Sequence, residues 1–157
     1  MTNPDPKNAG VREPSAGWLE GRTHVFPVRV YYEDTDFSGV VYHANYLRFM
    51  ERGRSECLRL MGAGHQGMLG NAEPLVWAVR RMSVDFLKPA RMEEALTVRT
   101  GMLELAGARM RLDQKVLRGK ETLVKAAVEV CTITLDGRPR RVPDSTRKKL
   151  EFFLETS

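Results

Sequence analysis

Cysteine is scarce in this chain, with only Cys57 and Cys131 among 157 residues. Two cysteines do not build a disulfide framework. One falls on the apolar face of a helical pattern and the other in an apolar strand pattern, so both read as small core residues. There is no CxxC pair and no histidine-rich cluster. Asp34, Asp36 and His43 together would give only three ligands close in sequence, so neither a metal nor a cofactor is expected. No stretch approaches 18 consecutive apolar residues, which argues against a membrane-spanning helix. The first residues lack the apolar core of a signal peptide, making the cytoplasm the expected compartment. Internal repeats and low-complexity runs are missing as well.

What is present fits one folded domain. Apolar residues make up 42% of the chain and charged residues 29%, within the globular range. Residues 1–23 carry Pro, Gly, Asn, Ser and charge without periodicity and read as a flexible tail. Residues 24–157 then form the domain. The net charge of +5 and pI near 9.5 favour anionic partners in general: nucleic acid, an acidic carrier protein or a phosphorylated ligand. No nucleic-acid-binding motif accompanies the charge, so nucleic acid is not expected.

The chain is organised around VRVYYEDTDFSGVVYHANY, residues 28–46. Val28, Val30 and Tyr32 alternate with Arg29, Tyr31 and Glu33, the period of a half-buried strand. Asp34 and Asp36 follow, then Ser38-Gly39, which is turn chemistry. A helical pattern runs from Tyr46 to Met61, with Tyr46, Met50, Gly53, Cys57 and Leu60 on one face. Gly53 on that face suggests close contact with a sheet, or is incidental. An acid just before a helix start faces the unpaired N–H groups of the first turn.

Residues 62–74 are rich in glycine and read as a loop. Strand patterns follow at 75–87, 95–105, 109–117 and 123–135, joined mostly by short turns. Pro143 opens a short last helix reaching about Leu154. One helix followed by four strands with short turns argues an α+β layer fold, the helix packed on an antiparallel sheet.

The run VRVYYEDTDFSGVVYHANYLRFMERGRSECLR resembles the signature of the hotdog-fold acyl-CoA thioesterases related to 4-hydroxybenzoyl-CoA thioesterase. Within them it is most similar to the YbgC-type branch associated with the Tol-Pal system. MSVDFLKPARMEEALTVRT resembles the second and third strands of that family, including the Lys-Pro-Ala connection. The resemblance covers about residues 26–150. It implies a five-stranded antiparallel sheet wrapped around the long central helix, followed by the short C-terminal helix. It also implies a homodimer or homotetramer with active sites at the subunit interface, and an acyl-CoA or acyl-carrier-protein substrate.

The same resemblance assigns roles. Asp36 is the catalytic carboxylate, acting as nucleophile or general base on the thioester. The His43 backbone N–H is the oxyanion donor at the helix start. Gly39 lets the backbone approach the ligand, Asn45 caps the helix or binds the acyl carbonyl, and Tyr46 lines the acyl pocket. Glu51, near mid-helix, is a possible supporting acid, because some hotdog thioesterases carry their carboxylate there. Apart from the resemblance, the charge of Arg109, Arg138, Arg140, Arg141, Lys148 and Lys149 makes them candidate contacts for the CoA phosphates or, equally, a solvated charged face. His24 and His65 read as surface or loop residues. Two rival functions are compatible with the sequence: another hotdog activity such as hydration, and non-catalytic binding of an acyl carrier protein or a Tol-Pal-linked assembly.

Overall fold

A computed structural model describes residues 10–154. The elements in order are β1 (Trp18–Glu20), β2 (Thr23–Arg29), α1 (His43–Leu60), α2 (His65–Leu69), β3 (Leu75–Phe86), β4 (Ala95–Ala106), β5 (Arg109–Arg118), β6 (Glu121–Thr134) and α3 (Asp144–Glu151). A 3-10 turn, Tyr32–Asp34, lies between β2 and α1. The sheet order is β1-β2-β4-β5-β6-β3, with every pairing antiparallel. Helix α1 lies across one face and packs on β4, β2 and β5. This is the expected α+β hotdog architecture, with one more strand than the five expected.

The additional strand is β1. Trp18–Glu20 pairs with Thr23–Val25, so the reading of residues 1–23 as a tail is corrected from Trp18 onward. Residues 1–9 of that tail lie outside the described residues. Three residues are too few to display a period, which is why β1 has no signature. His24 is also corrected. It is fully buried, and its Nε2–H donates to the Ala16 carbonyl at 2.8 Å. Burial holds its imidazole below the ordinary histidine pKa.

The first strand ends earlier than the alternation suggested. Its strand register ends at Arg29, opposite Ala95, its last cross-strand backbone bonds are those of Val30 with Glu93 and Glu94, and Tyr32 is exposed in the 3-10 turn. Helix α1 begins three residues sooner than its apolar period. Tyr46, Met50, Gly53 and Cys57 face the core as expected, joined by Phe49 and Leu58, whereas Leu60 is 45% exposed. Burying Phe49 or Met50 contributes about 1.5–3 kcal/mol each.

The mid-helix glycine has a definite cause. A Cβ at Gly53 would lie 2.7 Å from Val98 Cγ1 on β4, so the helix and sheet approach more closely than a side chain allows. One inward polar residue sits beside this contact. Gln114 on β5 donates to the Met50 carbonyl at 3.0 Å and to Thr100 Oγ1 at 2.9 Å, and its Oε1 accepts from Arg54 at 3.0 Å. Its polar atoms are thereby matched, which is what burial demands.

Candidate active site

The stretch between β2 and α1 is a small hairpin hung beneath the helix start. Thr35 bridges Val41. The Asp36 N–H donates to the Val40 carbonyl at 2.9 Å, and the Gly39 N–H to the Asp36 carbonyl at 3.0 Å. Gly39 has φ +84°, the left-handed conformation that closes a three-residue hairpin loop with a bulge. A Cβ there would meet nothing within 4 Å. The turn's backbone therefore calls for glycine at this position, and crowding does not.

The two aspartates have different surroundings. Asp34 is buried. Its Oδ2 accepts the Tyr31 N–H at 2.8 Å and its Oδ1 accepts the Asn45 side-chain amide at 2.9 Å. Its carbonyl also takes the Tyr42 N–H at 2.9 Å. Asp34 thus ties the 3-10 turn to the first turn of α1, and Asn45 is its buried partner. Asp36 is exposed. Its Oδ1 accepts the Ser38 hydroxyl and the Ser38 N–H, the latter at 2.8 Å. The Ser38 hydroxyl, and after it the Ser38 N–H, hold the Asp36 carboxyl below the usual aspartate range. Of the two, Asp36 is the one that faces outward.

No side chain caps the start of α1 at Tyr42. The first-turn amides, including that of His43, carry the positive end of an 18-residue helix. Beside them is a cleft of about 260 Å³ lined by Val41, His43, Tyr46, Phe86, Lys88 and Pro89, among others. The His43 ring lies 6.1 Å from Phe86 and the Tyr46 ring 5.9 Å from it. The Tyr46 hydroxyl accepts the Ala90 N–H at 2.8 Å, and the Ala90 carbonyl accepts the Val41 N–H at 2.9 Å. Ala90 therefore fastens the Lys-Pro-Ala connection to both sides of the cleft. Burial is the main reason the Tyr46 phenol lies above its ordinary pKa.

The structure brings His43 and Tyr46 into one cleft, with Asp36 and Gly39 on the adjoining hairpin. In the single chain Asp36 is not among the residues lining that cleft. Glu51 is elsewhere. It lines a separate cavity of about 220 Å³ with Arg54, Ser55, His65 and Trp77. Phe86 and Lys88 are cleft residues that sequence reasoning missed. The available signal was an aromatic and a lysine at the end of a strand, just before a proline.

Within one chain, the basic candidates at the Leu75 end of β3 are also distant. Arg109, Arg138 and Arg140 are ion-paired with Glu129, Asp136 and Glu73 at 3.3, 3.1 and 3.1 Å. Arg138 follows Thr134, which pairs with Leu75 at one end of β3, whereas Phe86 at the other end pairs with Val124. The intervening strand spans about 37 Å.

A profile described as the thioesterase superfamily matches residues 38–125, which takes in the Gly39 turn, α1 and the Phe86–Ala90 connection. The chain belongs to the thioesterase superfamily. The thioesterase is 39% identical over 122 residues to the acyl-CoA thioester hydrolase YbgC of Escherichia coli O6:H1, covering 76% of this chain and 90% of that protein. It is 42% identical over 110 residues to the acyl-CoA thioesterase YbgC of Haemophilus influenzae, covering 70% and 80%. Among solved structures it resembles a probable thioesterase from Bartonella henselae. That match has a TM-score of 0.75 and 46% identity, and covers 77% of this chain and 99% of the other. The expected recognition as a YbgC-like thioester hydrolase is borne out. No helix among the described residues is long and apolar enough to cross a membrane.

Proposed function

We propose that this thioesterase hydrolyses an acyl-CoA to the free acid and CoA thiol, with Asp36 as the reacting carboxylate and the His43 N–H as the oxyanion donor. The observation that carries the reading is the pairing of an outward-facing ionised aspartate with an uncapped helix start on the next segment of chain. By direct attack, an Asp36 oxygen bonds to the thioester carbon and the C–S bond breaks. The thiolate then takes a proton, and water cleaves the anhydride to free acid and carboxylate. By general-base action, Asp36 takes a proton from water, the hydroxide attacks, and the departing thiolate receives that proton. In both routes charge develops on the carbonyl oxygen, where a first-turn amide is best placed to stabilise it.

The site is completed by a second copy of the chain. Strand β3 is a 12-residue edge strand with Val79, Phe86 and Leu87 exposed along or just beyond it. Such an edge is a template for pairing. Twofold antiparallel pairing of β3 with itself lays the Leu75 end of one copy beside the Phe86 end of the other. It thereby walls the His43 cleft and draws the exposed Asp36–Gly39 hairpin toward an interface. The similarity to the YbgC proteins supports CoA as the thiol carrier. Acyl carrier protein is the alternative carrier.

A free-thiol assay over a panel of acyl-CoA and acyl-carrier-protein thioesters tests the reading, with Asp36→Asn and Asp36→Ala beside the unaltered protein. Turnover is expected to fall at least about 100-fold in both variants. Undiminished turnover in them, with loss instead in Glu51→Ala, would transfer the role to Glu51. Single turnover in ¹⁸O-water separates the routes. Label in the Asp36 carboxylate requires an anhydride that water opens at the Asp36 carbonyl carbon, and general-base action puts no label there.

A further inference from the structure

Arg54 is the one buried lysine or arginine among the described residues, at 8% exposed. Its Nη1 donates to Gln114 Oε1 at 3.0 Å, a neutral acceptor. Its Nε and Nη2 have no hydrogen-bond partner among the described residues, and neither atom is sealed from open space. The space that Arg54 borders is a cavity of about 220 Å³, with Glu51, Ser55, Leu58, His65 and Trp77 among its walls. Burial lowers the Arg54 pKa from the ordinary arginine value, and the nearby Glu51 charge opposes that shift. Glu51 is itself exposed and bonds to none of the Arg54 nitrogens. A buried cation without a bonded anion is a cost that an entering anion relieves.

We propose that this cavity binds a small carboxylate. Nε and Nη2 lie on one edge of the guanidinium. With Nη1 held by Gln114, that edge offers two parallel donors at the spacing of carboxylate oxygens. Ser55 supplies a third donor. Its Oγ lies 3.3 Å from His65 Nε2, and with that nitrogen protonated the hydroxyl hydrogen is free for the ligand. Leu58 and Trp77 give the carbon end an apolar wall. The volume of about 220 Å³ is that of about seven waters, room for an acid of about four carbons or fewer. A phosphate dianion would set a second negative charge against Glu51, so a monoanion suits the balance better. The site is separate from the His43 cleft. Arg54 lies roughly 16 Å along α1 from His43, and the two cavities share no lining residue. Two sources carry the group: free acid of the kind that thioester hydrolysis releases, and the far carboxylate of a dicarboxylic acyl group.

The test titrates the ¹⁵N-labelled protein with sodium butyrate at constant ionic strength, with sodium chloride as the control. The Trp77 indole N–H, which donates to the Ala63 carbonyl at 3.0 Å, reports from the cavity wall, and Trp18→Phe assigns its signal. A saturable shift with a Kd of about 1–10 mM is expected for so small a ligand. Arg54→Lys, which keeps the charge and loses the paired donors, should weaken binding about tenfold. If Arg54→Lys does not fold, two milder variants decide. Ser55→Ala should weaken binding about threefold, and Glu51→Gln, which removes a like charge, should tighten it about threefold. No saturation below about 100 mM, the same shift with chloride, or a Kd unmoved in all the variants overturns the assignment. Tighter binding of phosphate than of butyrate overturns the carboxylate class. Succinyl-CoA and butyryl-CoA, alike but for a carboxylate or a methyl at the far end, assign the source. Equal KM values point to free acid. A KM about tenfold lower for succinyl-CoA, lost in Arg54→Lys, points to the acyl end. The titration needs no turnover, so it can fail while the acyl-CoA reading stands, and the reverse.

Discussion

Asn45 reaches back 11 residues to place its side-chain amide 2.9 Å from Asp34 Oδ1, with both groups buried. That bond joins the first turn of α1 to the 3-10 turn before the hairpin that carries Asp36. Asp34→Ala leaves the Asn45 amide and the Tyr31 N–H without their acceptor, so a stability loss of about 2–4 kcal/mol is expected. For a chain of this size that lowers Tm by roughly 5–15 °C. Scanning calorimetry on Asp34→Ala and Asn45→Ala checks it, and an unchanged Tm in both would show that the bond holds nothing.

The acid limb of activity should respond to Ser38. The Ser38 hydroxyl is the leading cause that holds Asp36 below its ordinary pKa. A carboxylate with a lowered pKa stays ionised as pH falls, and activity is lost only as pH drops through that lowered value. Ser38→Ala removes the hydroxyl bond, so the acid limb of kcat/KM is expected to move to higher pH. At neutral pH, where Asp36 is ionised in both proteins, the rate should change little. A limb that stays put, measured with a CoA ester stable to mild acid, would contradict this.

Gly53→Ala sets two effects against each other. Alanine improves helix propensity by about 1 kcal/mol. Its methyl, however, would sit 2.7 Å from Val98 Cγ1, and overpacking of this kind costs about 1–3 kcal/mol. A net loss of up to about 2 kcal/mol in urea unfolding is expected. Gly53→Ala with Val98→Ala should recover part of it, because the clashing carbon is gone while a smaller cavity remains. Stabilisation by Gly53→Ala alone would show that the helix can shift off the sheet.

Assembly can be probed at the middle of β3. Val79, on the edge strand β3, is 49% exposed. Val79→Lys puts like charges together wherever β3 meets its own copy, with little effect on the isolated fold. Sedimentation is expected to shift from dimer to monomer, and turnover to fall with it. A monomer that keeps full turnover would sink the interface reading of the site.

The layer architecture and the hairpin–helix junction were legible because their signals are local. Val28 and Val30 alternate, Asp36 and Gly39 carry turn chemistry, and α1 repeats its apolar face through Met50 and Cys57. The alternation misled at Tyr31 and Tyr32, where the Asp34 carboxylate takes the Tyr31 N–H and curls the backbone into a 3-10 turn. Polar side chains that bond nearby backbone compete with the ladder, and hydropathy does not register them. Phe86 and Lys88 were illegible for another reason. They meet His43 only through the sheet topology, which puts the end of β3 at the helix start. Glu51 is separated from His43 by helix geometry, lying eight residues along α1 in a different hollow.

The two flanks of the sheet are unequal. One is β1, a stub of three residues, and the other is β3, four times as long. Open-ended polymers need two competent ends on every unit, each able to seat the next. If β3 pairs with its own copy as proposed, the joined sheet is left with a three-residue strand at each tip, too short a ledge to seat a third copy.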